Sequence, residues 1–237
     1  MTTYRIHPLV VGINETDQGI MTYQKGYGKR IWLPILVFYL EGGNEPVLVD
    51  TGMEEFIVPE GAAEQTGLQI LTFEKALETV HLKPDDIGTV IQTHLHNDHC
   101  ENTYKCRNAR IVVQQREWEF FNHPHPLDHR YYPDILEGVE VSAIDGDREI
   151  LPGIQVVLTP GHTPGGQSVV VNTDRGMAVI TGFCCNKQNF PAVGPAVTPG
   201  VHLDAISAYE SAQRVKGMGG ILIPLHEPEV VSRLKAG

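Results

Sequence analysis

The sequence predicts an α/β fold, an αββα sandwich in which two packed mixed sheets lie between outer helices. Three observations carry this. Short, β-branched apolar runs bounded by Gly, Pro and Asn recur in both halves of the chain, enough for a sheet in each half. Helical periodicity is confined to two segments, one after Thr72 and one over Leu203–Lys216, so the helices can only sit outside the strands. The stretch Thr93-His94-Leu95-His96-Asn97-Asp98-His99 directly follows a strand-like run, which places it on a loop at the edge of the layers.

Taken in order, Ile6 to Gly12 reads as a first strand and the Gly-rich, polar stretch to Arg30 as loop or hairpin. Ile31–Leu40 is a strand with Pro34 near its start; Gly42-Gly43-Asn44 turns it into Pro46-Val47-Leu48-Val49-Asp50, an antiparallel partner. Thr51-Gly52 breaks that strand and leaves Asp50 at its end, facing a site or buried as a structural carboxylate. Phe73, Ala76, Leu77 and Val80 follow Thr72 at helical spacing, with Thr72 as the cap. Pro84-Asp85-Asp86 ends this helix and leads into the strand Thr89–Gln92.

Arg110–Gln114 is the next strand and Glu117–Phe121 a short helix, whose Trp118-Glu119-Phe120-Phe121 offers an apolar patch: a homodimer contact or a substrate wall. Residues 122–133 lose all periodicity and read as a functional loop or lid carrying His123, His125, His129, Tyr131 and Tyr132. Two short strand runs flank Pro152-Gly153, and Gln167–Asn172 pairs with Met177–Thr181. Cys184–Gly200 is irregular and rich in Pro and Gly, a second pocket wall. Leu203–Lys216 is a helix with Leu203, Ile206, Tyr209 and Val215 on one face, and Gly220–Pro224 a last strand ending at Leu225-His226-Glu227. No linker or fixed-period repeat divides residues 1–237, which form one domain.

Composition excludes several classes. With 18 basic and 29 acidic residues the net charge is -11, and no basic block tracks a phosphate backbone, so nucleic acid is not the expected partner. No apolar run reaches membrane-spanning length, and no leader-like segment opens the chain, which reads as cytoplasmic. The four cysteines, Cys100, Cys106, Cys184 and Cys185, form no disulfide framework and point to metal or thiol chemistry. A small molecule remains the expected partner.

The histidine loop carries the strongest signal. Histidines at i and i+2 of an extended segment project the same way, and Asp98 and His99 diverge once the chain turns, so one loop can serve two cations. Imidazoles with a carboxylate suit zinc, and iron and manganese also.

With this loop in place, the sequence resembles the metallo-β-lactamase superfamily. Leu48-Val49-Asp50-Thr51-Gly52, Thr159-Pro160-Gly161-His162-Thr163-Pro164-Gly165, Ile180-Thr181-Gly182 and Ile223-Pro224-Leu225-His226 match in order. The first half is most similar to the N-acyl homoserine lactonase-like family. The resemblance implies the metallo-β-lactamase fold and two zinc ions. One is held by His94, His96 and His162 and the other by Asp98, His99 and His226, while Asp50 orients a ligand imidazole. The chain departs from the pattern after Thr181-Gly182, where most relatives carry a bridging Asp and this chain has Phe183-Cys184-Cys185. By resemblance to zinc β-lactamases of the Cys-ligand class, Cys184 becomes a ligand of the second zinc. Lys187, three residues on, then grips a substrate carboxylate. Tyr131 or Tyr132 donates to a developing oxyanion or packs.

The implied activity is a metal-dependent hydrolase that opens a lactone with a metal-bound hydroxide, Asp98 orienting the nucleophile and carrying its proton. Three alternatives follow from the same resemblance: a lactam or cyclic amide hydrolase using Cys184 and Lys187, a thioester hydrolase of the glyoxalase II type, and a non-heme iron oxidoreductase.

Overall fold

The computed structural model describes residues 2–235, and its strands form two sheets, one from each half of the chain. The first has the order β1 (Arg5–Asp17), β2 (Arg30–Glu41), β3 (Val47–Val49), β4 (Thr89–Ile91), β5 (Arg110–Gln114), β6 (Val141–Ile144). The long β1–β2 pair and β2–β3 are antiparallel, and β3 to β6 run parallel. The second sheet is β7 (Arg148–Leu151), β8 (Ile154–Leu158), β9 (Gln167–Thr173) and β10 (Gly176–Ile180), successively antiparallel, with β11 (Ile221–Ile223) added in parallel to β10. Both sheets are as expected. Missing from the sequence reading are the continuation of β1 to Asp17, strand β6 and the short helices Gln18–Met21, Ala62–Thr66, Asn97–Cys100 and Glu229–Lys235; β6 is short and half-exposed, with no alternation to betray it.

Among the described residues there are seven α-helices: α1 (Gln18–Met21), α2 (Ala62–Thr66), α3 (Phe73–Glu78), α4 (Asn97–Cys100), α5 (Gln115–Asn122), α6 (Ala205–Gly217) and α7 (Glu229–Lys235). None is long and apolar enough to cross a membrane among the described residues.

The side-chain period of a strand explains the layers. On β2, Leu36, Phe38 and Leu40 face the second sheet and pack with Ile154, Val156, Val169, Val171 and Ile180. The intervening Leu33, Ile35 and Val37 face outward and pack with Phe73, Ala76 and Leu77 of α3. On the far side Val157, Val170 and Val179 pack against Ala212 and Val215 of α6. Because helices cover both outer faces, these strands are apolar on both sides, which is why they read as continuous runs.

Two expectations about helix faces are corrected. In α6 the buried residues are Ala208, Ser211, Ala212 and Val215, whereas Ile206 is 73% exposed and Leu203 and Tyr209 are also exposed. The helix lies too close to the loop beneath it for large side chains: a Cβ on Gly161 would stand 2.1 Å from the Ala208 nitrogen. Small residues therefore face inward and the large ones are left outside. In α5, Phe121 is fully buried and Phe120 and Trp118 pack partly beside it with Tyr131 and Leu136, so this helix presents a core face rather than an open apolar patch. Thr72 is the N-terminal residue flanking α3, but its side chain makes no capping hydrogen bond.

Candidate active site

Six potential ligands converge where the strand ends meet. His94 and His96 follow β4 on extended backbone, and α4 begins immediately after His96, so Asp98 and His99 turn to the side. His162 comes from the loop between β8 and β9, and His226 from the loop after β11. One donor atom each of His94, His96 and His162 lies within 4.8 Å of the others, and the same holds for Asp98, His99 and His226. The groups adjoin, with the His94 and His99 ring centres 4.1 Å apart.

The imidazoles are aimed from behind. His162 Nδ1 donates to the Val201 carbonyl at 2.8 Å, and His226 Nδ1 to the Pro34 carbonyl at 3.0 Å. His99 Nδ1 donates to Asp50 Oδ2 at 2.7 Å. Thr93 Oγ1 donates to the same Asp50 oxygen, so it accepts from His94 Nδ1 at 3.0 Å. His96 is held by its other nitrogen: Nε2 donates to Asp128 Oδ2 at 3.1 Å, leaving Nδ1 for the centre. Each ring thus has one nitrogen tied and one free, the arrangement that fixes the tautomer of a metal ligand. His94 Nε2 is buried with no hydrogen-bond partner, a cost that a cation in the His94–His96–His162 group would remove. The residues therefore fit a divalent metal.

Electrostatics agree. Burial, reinforced by the neighbouring His99, His96 and His162, pushes His94 well below its ordinary value; burial likewise lowers His96 and His226 to about 4. These rings are neutral and basic at their free nitrogens. Burial alone would raise Asp98, but His99, His226 and His96 outweigh it and hold the carboxylate ionised. His99 is the exception: burial lowers it, yet Asp98 and Asp50 on its two sides raise it to about 10. In the absence of a cation, a proton on His99 supplies the positive charge that these carboxylates call for.

Asp50 stands where the sequence places it. At φ +61° it ends β3 in the left-handed region, which Asp tolerates, and this turn aims both oxygens at the histidine loop. The other candidates divide. Cys184 lines the cavity, its Sγ 3.7 Å from Met21 Sδ, but joins neither donor group among the described residues. Phe183 turns away into the core with Phe190 and Cys185. Lys187 lies outside the cavity, exposed and paired with Glu229. Tyr131 is buried and donates to Glu117 Oε1 at 2.8 Å, which occupies its hydroxyl in packing the loop; Tyr132 is exposed and away from the cavity.

The sequence reading missed Asp128, Arg130 and Glu117. Asp128 and Arg130 sit in the aperiodic 122–133 loop, where an acid and a base two residues apart were the one available signal. The cavity above the donors measures about 200 Å³ and is walled by Ile20, Leu33, Met53 and Val201.

The family model described as the metallo-beta-lactamase superfamily matches residues 30–182. The chain belongs to the metallo-β-lactamase superfamily. Within the superfamily it is similar to N-acyl homoserine lactonase AiiA of Bacillus thuringiensis subsp. kurstaki, 31% identical over 208 residues that cover 80% of each protein. An N-acyl homoserine lactonase of Bacillus cereus is 31% identical over 229 residues, covering 91% of this chain and 88% of that one. Among solved structures, a B. thuringiensis AiiA variant with N-decanoyl-L-homoserine bound at its active site superposes with a TM-score of 0.77 at 28% identity, covering 100% of this chain and 97% of that chain. The expected metallo-β-lactamase fold is borne out.

Proposed function

We propose that this chain is a zinc-dependent lactonase, which adds water across the ester of a lactone ring and releases the ring-opened hydroxy acid. The observation that carries the reading is the pair of adjoining donor groups, each with its nitrogens tied from behind, at the floor of a cavity. The similarity to N-acyl homoserine lactonases favours an ester ring as the substrate.

His94, His96 and His162 would hold one zinc ion, and Asp98, His99 and His226 the other. Bound there, zinc supplies Lewis acidity, lowering the pKa of water and polarising a carbonyl. The protein's own contributions are separate. The five imidazoles stay fixed in one tautomer each by Thr93, Asp50, Asp128, Val201 and Pro34. Asp98, ionised at neutral pH, accepts the proton of the attacking water and returns it to the ring oxygen as the C–O bond breaks. The apolar wall of Ile20, Leu33, Met53 and Val201 seats the substrate and limits bulk water. The lactam alternative drew on Cys184 and Lys187, of which the first joins neither group and the second faces solvent. Four buried, unpaired thiols favour a reducing compartment, and we place the protein in the cytoplasm.

The test is zinc-loaded protein against lactones, β-lactams, unstrained cyclic amides and thioesters, with acid release and product mass both followed. Lactone opening that disappears in His96→Ala is the expected result. Turnover of lactams or thioesters without lactones overturns the proposal.

A further inference from the structure

Among the residues lining the cavity, Arg130 carries the guanidinium and Asp98 the carboxylate. The guanidinium is anchored rather than free. Nε donates to Asp128 Oδ1 at 2.7 Å and Nη2 to Asp128 Oδ2 at 2.6 Å, a two-bond fork that fixes the plane of the group. The backbone is pinned as well, since the Arg130 carbonyl accepts from Asn97 N–H at 2.9 Å, inside the histidine loop itself. Asp128 in turn accepts a hydrogen bond from His96 Nε2–H. Arg130 is thereby held at a set position relative to the donor groups.

The fork uses one edge of the guanidinium. Nη1 has no protein acceptor among the described residues, and the side chain is 34% exposed and lines the cavity. Arg130 shares the cavity lining with His94, His96, Asp98 and His162, which places the guanidinium beside the donor groups. An oriented guanidinium with a free N–H edge above an apolar-walled cavity is a recognition element for a planar anion.

We propose that Arg130 is the anion grip of this site and that the substrate carries a carboxylate beside its scissile ring, bound by the Nη1 edge. This rests on the lactonase reading only for the identity of the ring. Recognition of a carboxylate is a property of the cavity and is testable without turnover. Arg130 thus takes the task that the sequence assigned to Lys187. Asp128 acts through it and through His96, as a positioning residue for both.

The probe is a homologous series of linear dicarboxylates, malonate to adipate, each compared with its monomethyl ester by calorimetric titration into zinc-loaded protein. Both members offer one carboxylate to the metal floor, and only the diacid offers a second to Arg130. At least one diacid is expected to bind about 10-fold more tightly than its half-ester, a charge-assisted pair of roughly 1.4 kcal/mol. In Arg130→Gln that ratio should fall to near one, with Arg130→Lys between the two. A wild-type ratio below about threefold for every diacid, or a ratio that survives in Arg130→Gln, overturns the proposal. Zinc content is measured for each variant. Should Arg130→Gln lose zinc, a crystal structure of the wild type with the preferred diacid decides: the second carboxylate lies within hydrogen-bonding distance of Nη1, or the grip is wrong. A chain that opens no lactone yet shows the diacid preference would refute the lactonase reading and leave the anion grip standing.

Discussion

Replacing Asp50 by Asn separates the charge of this residue from its shape. The carboxylate is fully buried; Oδ1 accepts from Thr93 N–H at 2.7 Å, and Oδ2 accepts from Thr93 Oγ1 at 2.8 Å and from His99 Nδ1 at 2.7 Å. Asn tolerates the left-handed backbone at φ +61° at least as well as Asp, so the backbone is undisturbed. The amide can take two orientations. Turning its NH2 toward Thr93 N–H would strand a buried donor at a cost of about 1–3 kcal/mol, so the oxygen stays there. The NH2 then meets His99 Nδ1–H, donor against donor, and the ring responds by moving its proton to Nε2. That nitrogen stands 3.4 Å from Asp98, within the second donor group, and once protonated it cannot ligate. Loss of such an orienting partner costs about 10- to 100-fold in metal affinity, or about 1.4–2.7 kcal/mol. Chelator-competition titration of zinc into metal-free wild type and Asp50→Asn should show the site of His99 weakened by that factor. Both sites within about threefold of wild type would refute the tautomer argument.

The remaining predictions concern protons, thiols and packing. His99 is raised to about 10 while His96 and His226 are lowered to about 4, so between about pH 6 and 9 only His99 must lose a proton to bind. Zinc affinity at its group should rise about tenfold per pH unit across that window, and a flat profile would show that His99 is already neutral. All four thiols are buried and raised by burial, Cys106 and Cys185 to about 12, and Cys100 and Cys184 well above their ordinary value. A thiol reagent at mildly alkaline pH should therefore label fewer than one thiol per native chain, and all four only in denaturant; rapid labelling of the native protein would contradict the placement of Cys184. Gly161→Ala would force a left-handed residue at φ +119° and a Cβ 2.1 Å from the α6 backbone. A loss of about 3 kcal/mol or more is expected, near 6–12 °C in Tm for a chain of this size, and a shift under about 3 °C would mean that α6 moves freely.

Much of the centre was legible because its signals are local. His94, His96, Asp98 and His99 occupy one loop whose spacing states their geometry, and Asp50 is marked by the break after β3. The face of α6 was not legible, because which of its sides is buried depends on a close approach to Gly161 that no helical period encodes. Lys187 illustrates a different failure. Its spacing from Cys184 suggested a grip, but Phe183 packs into the outer core and the chain turns into a short 3-10 segment that carries Lys187 to the surface beside Glu229. Asp128 and Arg130 were hidden for a third reason. Asp128 meets His96 from 32 positions away, out of a loop with no periodic pattern.

What orders that loop is Glu117. Fully buried with no cationic partner, it accepts at Oε1 from Leu95 N–H at 3.0 Å and from Tyr131 Oη at 2.8 Å, and at Oε2 from Gly165 N–H at 3.0 Å. One carboxylate thereby ties the histidine loop, the 122–133 loop and the loop of His162, three segments that share no strand. Burial pushes Glu117 up, and the backbone amides of Leu95 and Gly165 with the hydroxyls of Tyr131 and Thr163 pull the other way. Gly165 is needed for the approach, since a Cβ there would stand 2.3 Å from the Glu117 nitrogen. Leu95 is flanked by His94 and His96, and Gly165 lies three residues past His162. Fixing these two amides therefore fixes the spacing of the first donor group whether or not it holds a cation. On the proposed reading the protein's own hydrogen bonds preposition the donors for zinc, unlike small domains in which metal binding and folding are a single event.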